Sequence, residues 1–206
     1  MQFQQLKTFS LPKGFRGRPG FVVQCWWIAQ TILFKASPQF MYAWRRFLLR
    51  CFGANIGKGV KIRPSVHIQF PWKISIDDYS WIGDNVVLYS LGEITIGKNV
   101  VVSQESYLCT GSHKYTDIDF SIYSLPIIIE DSCWLATDVF VSPGVIIRNG
   151  TVVGARSSVF HSLPAGKICF GNPAVVIKNR PLPFAVNPLY HNLYETDDNL
   201  KRSESI

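Results

Sequence analysis

Residues 55–109 read NIGKGVKIRPSVHIQFPWKISIDDYSWIGDNVVLYSLGEITIGKNVVVSQESYLC, and a branched aliphatic residue recurs in this stretch at intervals of six. The register slips by two residues after Ile74 and again after Ile94, and the period resumes at Ile129 after an interruption. A helix requires apolar spacings of three and four, and a strand alternates every two residues, so the period matches neither. The repeated positions are Ile56, Ile62, Ile68, Ile74, Ile76, Ile82, Leu88, Ile94, Ile96, Val102, Leu108, Ile129, Leu135, Val141, Ile147, Val153 and Val159.

This period predicts an all-β solenoid, a parallel β-helix, in which each unit supplies one short strand and one corner. Three units complete a coil, and the aliphatic side chain of each unit points into a narrow prism. The early coils are twenty residues long, because Ile56, Ile76 and Ile96 are evenly spaced. Corner pairs such as Asp84-Asn85 and Lys98-Asn99 are suited to the left-handed backbone angles of tight corners.

The segments that flank the repeat have a different character. Residues 1–52 are predicted to form one or two helices, broken at Pro38, that cap the apolar end of the solenoid; a membrane anchor is the alternative. The apolar stretch 21–34 is too short to span a bilayer, which favours a buried or surface-lying helix. Residues 53–174 are predicted to form the β-helix, and residues 175–206 a C-terminal helix and tail.

Composition excludes several classes of protein. The net charge of +7 predicts a basic surface that could attract phosphates or an anionic membrane. No interleaved basic and aromatic motif indicates a nucleic-acid partner. Five cysteines without a CxxC pair argue against a disulfide scaffold or a zinc site. The N-terminus lacks the features of a signal peptide, so we expect the protein in the reducing cytoplasm.

The repeat is interrupted between Leu108 and Ile129 by CTGSHKYTDIDFSIYSLPII, residues 109–128. An insertion into a solenoid is expelled to the surface, so this segment predicts a protruding loop. His113 stands at the root of the loop, where a rigid coil would fix its imidazole while the loop forms a wall. An isolated histidine at a loop base is more often a plain surface residue, and its place beside the insertion makes it a candidate for catalysis.

The repeat, the Gly-Ser-His at 111–113 and the stretch CWLATDVFVSPGVIIRNGTVVGARSSVFHSLPAGKICFGNPAVVIKNR at 133–180 resemble the hexapeptide-repeat acyltransferases. The likeness covers residues 53–180. The N-terminal motifs FSLPKGFRGRPG, QCWW and WRRFLLRCFGA are in addition similar to the colanic acid acetyltransferases of bacterial exopolysaccharide synthesis. The resemblance implies a left-handed β-helix, a homotrimer, and transfer of an acetyl group from acetyl-CoA to a sugar hydroxyl.

The catalytic histidine of the family matches His113, which would act as general base in a direct transfer. Its tautomer could be fixed by Asp117, by Asp119 or by a backbone carbonyl. The resemblance also implies an oxyanion donor at the backbone N–H of Thr137. Cys109 offers a covalent acetyl-cysteine route, but buried cysteines usually behave as small hydrophobes, which favours direct transfer.

The acetyl-CoA groove of the family lies between adjacent subunits along the later coils. Carried over position by position, it falls on Thr137, Ala155, Phe160, His161, Val175 and Lys178. Lys178 would meet a phosphate as a point charge. Phe160-His161 stands where relatives often have a hydroxyl residue followed by lysine, and Val175 where a basic residue is common. Arg156 and Arg180 are therefore alternative phosphate contacts.

Asn85, Tyr89 and Glu93, on the coil before His113, are predicted to contact the acceptor saccharide, for which a lipid-linked unit is one candidate. A Trp-rich basic N-terminus then predicts peripheral contact with the inner membrane. Other small acceptors remain an alternative. A metal enzyme of the β-helix carbonic anhydrase type would need converging histidines, but His67, His113, His161 and His191 are dispersed, so no metal is expected. A non-catalytic solenoid would leave the 109–128 loop unexplained.

Overall fold

The computed structural model describes residues 3–182, and residues 55–179 of it form a parallel β-solenoid with three faces. The first face holds the strands Asn55–Ile56, Ile74–Ile76, Ile94–Ile96, Ile127–Ile129 and Ile146–Ile147. The second face holds Lys61–Ile62, Trp81–Ile82, Val101–Val102, Trp134–Leu135, Val152–Val153, Lys167–Gly171 and Ala174–Asn179. The third face holds His67–Ile68, Val87–Tyr89, Tyr107–Cys109, Phe140–Val141 and Ser158–Val159. The chain visits the faces in that order, which confirms the predicted all-β, parallel β-helix.

The repeated aliphatic residues form the core of the solenoid. On the first face, Ile76 pairs with Ile56 on one side and Ile96 on the other, and Ile96 pairs in turn with Ile129. These side chains are buried, as are their counterparts on the other two faces. Burying one such side chain contributes roughly 1.5–3 kcal/mol to the free energy of unfolding, so the stack contributes strongly to the stability of the solenoid. The extra residues of the first coil lie at its last corner, where Pro71–Lys73 form a short 3₁₀ helix.

The corners adopt the left-handed backbone angles that the sequence predicts. Asn85 has a φ of 55° and Asn99 a φ of 54°. Tyr79 and Glu105 adopt the same region with φ of 62° and 63°, although their side chains favour it less. Hydrogen bonds to the preceding coil offset that cost, since the N–H of Tyr79 donates to the carbonyl of Lys58 at 2.8 Å.

The helices before residue 52 cover the open end of the first coil. The first helix, Gly20–Ala29, continues as the π-helical turn Gln30–Phe34, and the second helix spans Tyr42–Cys51; Leu6–Thr8 form a 3₁₀ turn. Across residues 3–182, no helix combines the length and apolar character that crossing a membrane requires.

The helices of this cap satisfy the carbonyl groups at the edge of all three sheets. Arg50 donates to the carbonyl of Ile56 on the first face, with Nε at 3.0 Å. Arg45 Nε donates to that of Ile62 on the second face at 2.7 Å. Trp26 Nε1 donates to that of Ile68 on the third face at 2.8 Å. These contacts remove the unpaired strand edges that would otherwise be exposed.

The predicted C-terminal helix is wrong for residues 175–179. They belong to the strand Ala174–Asn179, which pairs antiparallel with Lys167–Gly171 on the second face. The run Val175-Val176-Ile177 is β-branched and favours a strand, and Gly171, with a φ of 112°, allows the chain to reverse. The rest of the predicted tail, from residue 183, lies outside the described residues.

Candidate active site

The interruption of the repeat forms a hairpin at the corner between the third and first faces. Gly111–His113 pair antiparallel with Ile122–Ser124. The N–H of Leu125 donates to the carbonyl of Thr110 at 2.9 Å, and that of Ile127 donates to the carbonyl of Glu93 at 2.9 Å. Both ends of the hairpin are therefore fixed to the solenoid, and His113 stands on one of its strands.

The imidazole of His113 is held in a defined orientation. Its Nδ1 atom lies 2.7 Å from the carbonyl oxygen of Phe120. Because a carbonyl can only accept, Nδ1 carries the proton and Nε2 of the neutral ring is left as an acceptor. The Asp117 carboxylate instead accepts a hydrogen bond from Ser121 Oγ at 2.5 Å. Of the three groups that the sequence left open, the backbone carbonyl is the one that contacts the ring.

An N-terminal arm, residues 3–19, runs beside the hairpin. Its Gln5 N–H donates to the carbonyl of Ile118 at 2.6 Å, and its Phe9 ring lies 5.8 Å from the imidazole of His113. Farther along the arm, Phe15 packs against a small apolar cluster of Val23, Phe70 and Leu91, and Ile122 of the hairpin packs against the same cluster. Sequence reasoning missed this contact, because the arm contains no repeat that would fix its position on the solenoid.

Two of the three predicted acceptor contacts share a corner with His113. Tyr89 is the last residue of the strand Val87–Tyr89, which pairs with Tyr107–Cys109 on the third face. Glu93, which is exposed, follows it in the corner between the third and first faces. Burial, followed by the nearby Cys109, raises the pKa of the Tyr89 hydroxyl, which stays protonated and able to donate. Asn85 lies at the other end of the third face, where its Nδ2 donates to Glu105 Oε1 at 2.8 Å.

The predicted cofactor residues are divided between the two corners that flank the third face. Thr137 and Ala155 occupy successive coils of the corner between the second and third faces, next to Arg156, whose N–H donates to the Thr137 carbonyl at 2.8 Å. Within residues 3–182, the N–H of Thr137 itself has no hydrogen-bond partner. Exposed Phe160 and His161 lie instead at the corner between the third and first faces.

The C-terminal hairpin borders the Thr137 corner. Val175 pairs with Phe170 beside it, and exposed Lys178 lies three residues farther along the same strand. Arg156 is exposed and approaches Asp138 at 3.6 Å. Arg180 donates from Nη1 to the carbonyl of Ser132 at 2.8 Å. The exposed side chains of Arg156 and Lys178 are thus more available to bind a phosphate. The guanidinium of Arg180 is already hydrogen-bonded to a backbone carbonyl.

Cys109 lies near His113 but has the properties of a structural thiol. It is half-buried, and its Sγ–H donates to the carbonyl of Gly111 at 3.1 Å. Burial raises the pKa of the Cys109 thiol. Since the thiolate is the nucleophilic form, this environment disfavours a covalent acetyl-cysteine.

The part of the chain between residues 3 and 182 contains no group of three or more His, Cys, Asp or Glu side chains placed to hold a metal ion. His67, His113 and His161 lie on the first coil, the hairpin and the fifth coil, respectively. His191, the fourth histidine of the metal hypothesis, falls outside the described residues.

Comparison with known proteins gives relatives across most of the chain, although no protein-family model matches it. The colanic acid biosynthesis acetyltransferase WcaF of Escherichia coli K12 is 62% identical over 177 residues, covering 86% of this chain and 97% of that protein. The lipopolysaccharide biosynthesis O-acetyl transferase WbbJ of the same organism is 32% identical over 143 residues, covering 62% of this chain and 70% of that protein.

A solved structure shares the architecture of the solenoid. The hexapeptide-repeat acetyltransferase VCA0836 of Vibrio cholerae, in complex with acetyl coenzyme A, superposes with a TM-score of 0.71 and 26% identity. The match covers 79% of this chain and 88% of that one.

Proposed function

Because the chain belongs to the family of hexapeptide-repeat acetyltransferases that includes the colanic acid biosynthesis enzymes, we propose that it transfers the acetyl group of acetyl-CoA to a sugar hydroxyl in exopolysaccharide synthesis. The observation that carries the proposal is the orientation of His113. Its ring is fixed through Nδ1 by the carbonyl of Phe120, so that Nε2 can accept a proton.

In the proposed reaction, Nε2 of His113 takes the proton of the sugar hydroxyl while the oxygen attacks the thioester carbonyl. The tetrahedral intermediate then collapses, the carbon–sulfur bond breaks, and the imidazolium returns the proton to the departing CoA thiolate. General-base assistance of this kind contributes about 10²- to 10⁴-fold. The N–H of Thr137, which lacks a partner within residues 3–182, is the proposed donor to the developing oxyanion.

The proposed assembly is a homotrimer with the site between subunits. Within one chain, His113 and Thr137 lie at different corners of the third face. In a closed threefold ring, the His113 corner of each subunit would face the Thr137 corner of its neighbour. This arrangement joins the two halves of the site, which supports the trimer expected of the family.

The proposed acetyl-CoA groove follows the Thr137 corner. Ala155 is small and exposed there, which would let the pantetheine arm approach the backbone. Val175 borders the groove, and Lys178 and Arg156 are the proposed phosphate contacts. Phe160 and His161 would be contributed by the neighbouring subunit, because they lie at the opposite corner. The relative VCA0836, which was solved with acetyl coenzyme A, supports this cofactor.

The proposed acceptor lies over Tyr89 and Glu93 at the His113 corner, with Asn85 contributed from the facing corner of the neighbour. We include a lipid-linked saccharide among the acceptors, and with it peripheral contact of the enzyme with the inner membrane. Fractionation of cells tests this contact. If deletion of residues 1–35 does not change the division of the enzyme between the soluble and membrane fractions, the proposed contact is contradicted.

The reaction is tested by the release of free CoA from acetyl-CoA, with product analysis by mass spectrometry against a panel of soluble and lipid-linked saccharides. We expect release only when a suitable saccharide is present. His113→Ala should reduce it at least about a hundredfold, and light scattering should show the trimer unchanged. His67→Ala, which removes the imidazole of the first coil, is the matched control. Undiminished turnover in His113→Ala would refute the base, and no turnover with any saccharide would refute the function.

A further inference from the structure

The outer side of the N-terminal cap is apolar. Val23 and Trp26 of the first helix and Phe34 of the π-helical turn are buried against the solenoid. Large apolar side chains also project from the opposite side of the cap, where Phe21 is 70% exposed and Phe40 is 80% exposed. A terminal cap normally presents a polar outer face, so this surface is suited to contact with something other than water. The exposed side chains, called the cap surface below, are Phe21, Ile28, Ile32, Leu33, Phe40 and Phe47.

The two helices of the cap are joined on this side. Trp44 Nε1 of the second helix donates to the carbonyl of Leu33 at 2.9 Å. The rings of Trp44 and Phe47 lie 5.9 Å apart, which continues the apolar character onto the second helix. The cap surface is therefore shared by two packed helices, and both are fixed to the first coil.

The same end of the chain is strongly basic. Residues 1–76 contain 12 Lys and Arg and no Asp or Glu. The remaining residues contain 9 Lys and Arg and 14 Asp and Glu, so the net charges of the two parts are +12 and −5. The total of +7 therefore conceals a large charge separation along the chain, because the described part of this basic segment comprises the arm, the cap and the first coil.

Most of these positive charges are not neutralised by carboxylates. Arg45, Arg46 and Arg50 donate to backbone carbonyls of the first coil. Among the described residues, Arg63 is the one cation of this region in an ion pair, with Asp84. Hydrogen bonds to carbonyls hold the guanidinium groups in place but leave their charge, so the cap carries a positive potential.

We propose that the cap surface docks on an anionic lipid bilayer. Exposed aromatic and aliphatic side chains would enter the interface while the surrounding Lys and Arg contact the headgroups. A second copy of this surface is a poor occupant, since it would bring two strongly positive regions together. The inference rests on the proposed function in one respect, because a lipid-linked acceptor is what would make the docking useful.

The position of the cap also suits such an acceptor. The hairpin that carries His113 extends from the third coil of the solenoid. Neighbouring coils are about 4.8 Å apart, so the third coil lies two such spacings from the first. The cap adds about one helix diameter, roughly 10 Å. His113 would thus lie about 20 Å from the bilayer surface, within reach of a saccharide attached to a lipid. In the proposed trimer, three cap surfaces would face the same side and bind together.

Sedimentation with lipid vesicles tests the docking on the full-length protein. We expect binding to vesicles of phosphatidylcholine with one quarter phosphatidylglycerol, and at least about tenfold weaker binding to phosphatidylcholine alone or in 1 M salt. The triple variant Ile32→Ser, Phe40→Ser, Phe47→Ser should lose at least about tenfold in binding. Leu182→Ser, an exposed apolar side chain outside the cap, is the matched control and should bind as the parent does.

Acetyl transfer to a water-soluble saccharide should be the same in the parent and in the triple variant, which separates the docking from the catalytic proposal. Equal binding to neutral and anionic vesicles would overturn the inference. So would unchanged vesicle binding in the triple variant together with strong competition by an RNA oligonucleotide, since the basic end would then be a general polyanion site.

Discussion

The Nδ1 atom of His113 lies 2.7 Å from the carbonyl oxygen of Phe120, and the two rings are stacked with their centroids 4.3 Å apart and their planes 10° from parallel. One residue therefore fixes both the tautomer and the plane of the imidazole. Phe120 itself has a φ of 50°, and its N–H donates to the carbonyl of Asp117 at 3.0 Å, so a tight turn of the hairpin holds it. The orientation of the proposed base thus depends on the backbone of the inserted loop.

Phe9 of the N-terminal arm also contacts the imidazole, so we predict that it helps to position His113. Phe9→Ala should lower kcat roughly tenfold with little change in the KM for acetyl-CoA, because a freer imidazole spends less time in the productive geometry. Phe9→Leu should recover part of the loss. Phe3→Ala, in the same arm but 78% exposed, is the matched control. Steady-state kinetics with both substrates varied is the measurement, and a change confined to the KM for acetyl-CoA would contradict the positioning role.

Cys109 should be dispensable for the chemistry. Burial raises the pKa of its thiol, which leaves little thiolate at neutral pH. We expect Cys109→Ala to keep kcat within about threefold of the parent, and mass spectrometry of the enzyme mixed with acetyl-CoA to show no acetylated protein. Cys169→Ala, a buried cysteine of the second face, controls for the loss of packing. An acetyl adduct that is lost only in Cys109→Ala would replace direct transfer with a covalent route.

The side-chain period of the sequence was sufficient to predict the solenoid. The repeated aliphatic residues from Ile56 to Val159 identify, from local sequence alone, the side chains that face inward. Asn85 and Asn99 identify corners in the same way, because the residue type itself favours the left-handed backbone angles. The partner of His113 could not be predicted in this way, since a backbone carbonyl carries no residue identity. The arm was missed because its place depends on packing between distant segments.

The grouping of the site residues required the structure as well. Asn85 and Glu93 are eight positions apart, yet they lie at opposite ends of the third face, because the strand Val87–Tyr89 runs between them. Short strands of a solenoid place neighbours in sequence at different corners, whereas residues about twenty positions apart stack. Sequence proximity to His113 therefore did not show which of the predicted acceptor residues share its corner within one chain.

Acidification should weaken the fold through His67. Burial, and next the nearby charge of Lys35, lower the pKa of His67 below its ordinary value of 6.5. The unfolded chain binds a proton at this residue as the pH falls through about 6.5, whereas the folded chain binds it only at a lower pH. The free energy of unfolding therefore decreases below about pH 6.5. We expect the midpoint of urea unfolding to fall between pH 7.5 and pH 5, and to fall less in His67→Gln. Lys35→Met should lessen the effect without removing it, since burial is the larger cause. Parallel curves for the parent and His67→Gln would exclude this role.

Arg45 should be the most costly polar residue of the cap to remove. It is fully buried, burial lowers its pKa, and its guanidinium donates to the carbonyls of Ile62, Pro38 and Gln39. Arg45→Met fills a similar space but leaves these acceptors without a donor, which should lower the free energy of unfolding by roughly 2–4 kcal/mol.

Arg46→Met is the matched control for this substitution. Arg46 lies on the same helix and donates a single hydrogen bond to the carbonyl of Val60 at 2.9 Å, so its loss should cost only about 1 kcal/mol. Urea unfolding at a fixed protein concentration measures both variants, because the proposed trimer would gain stability with concentration. Equal losses in the two variants would mean that the buried guanidinium does not hold the cap on the second face, and that apolar packing around Trp26 does so instead.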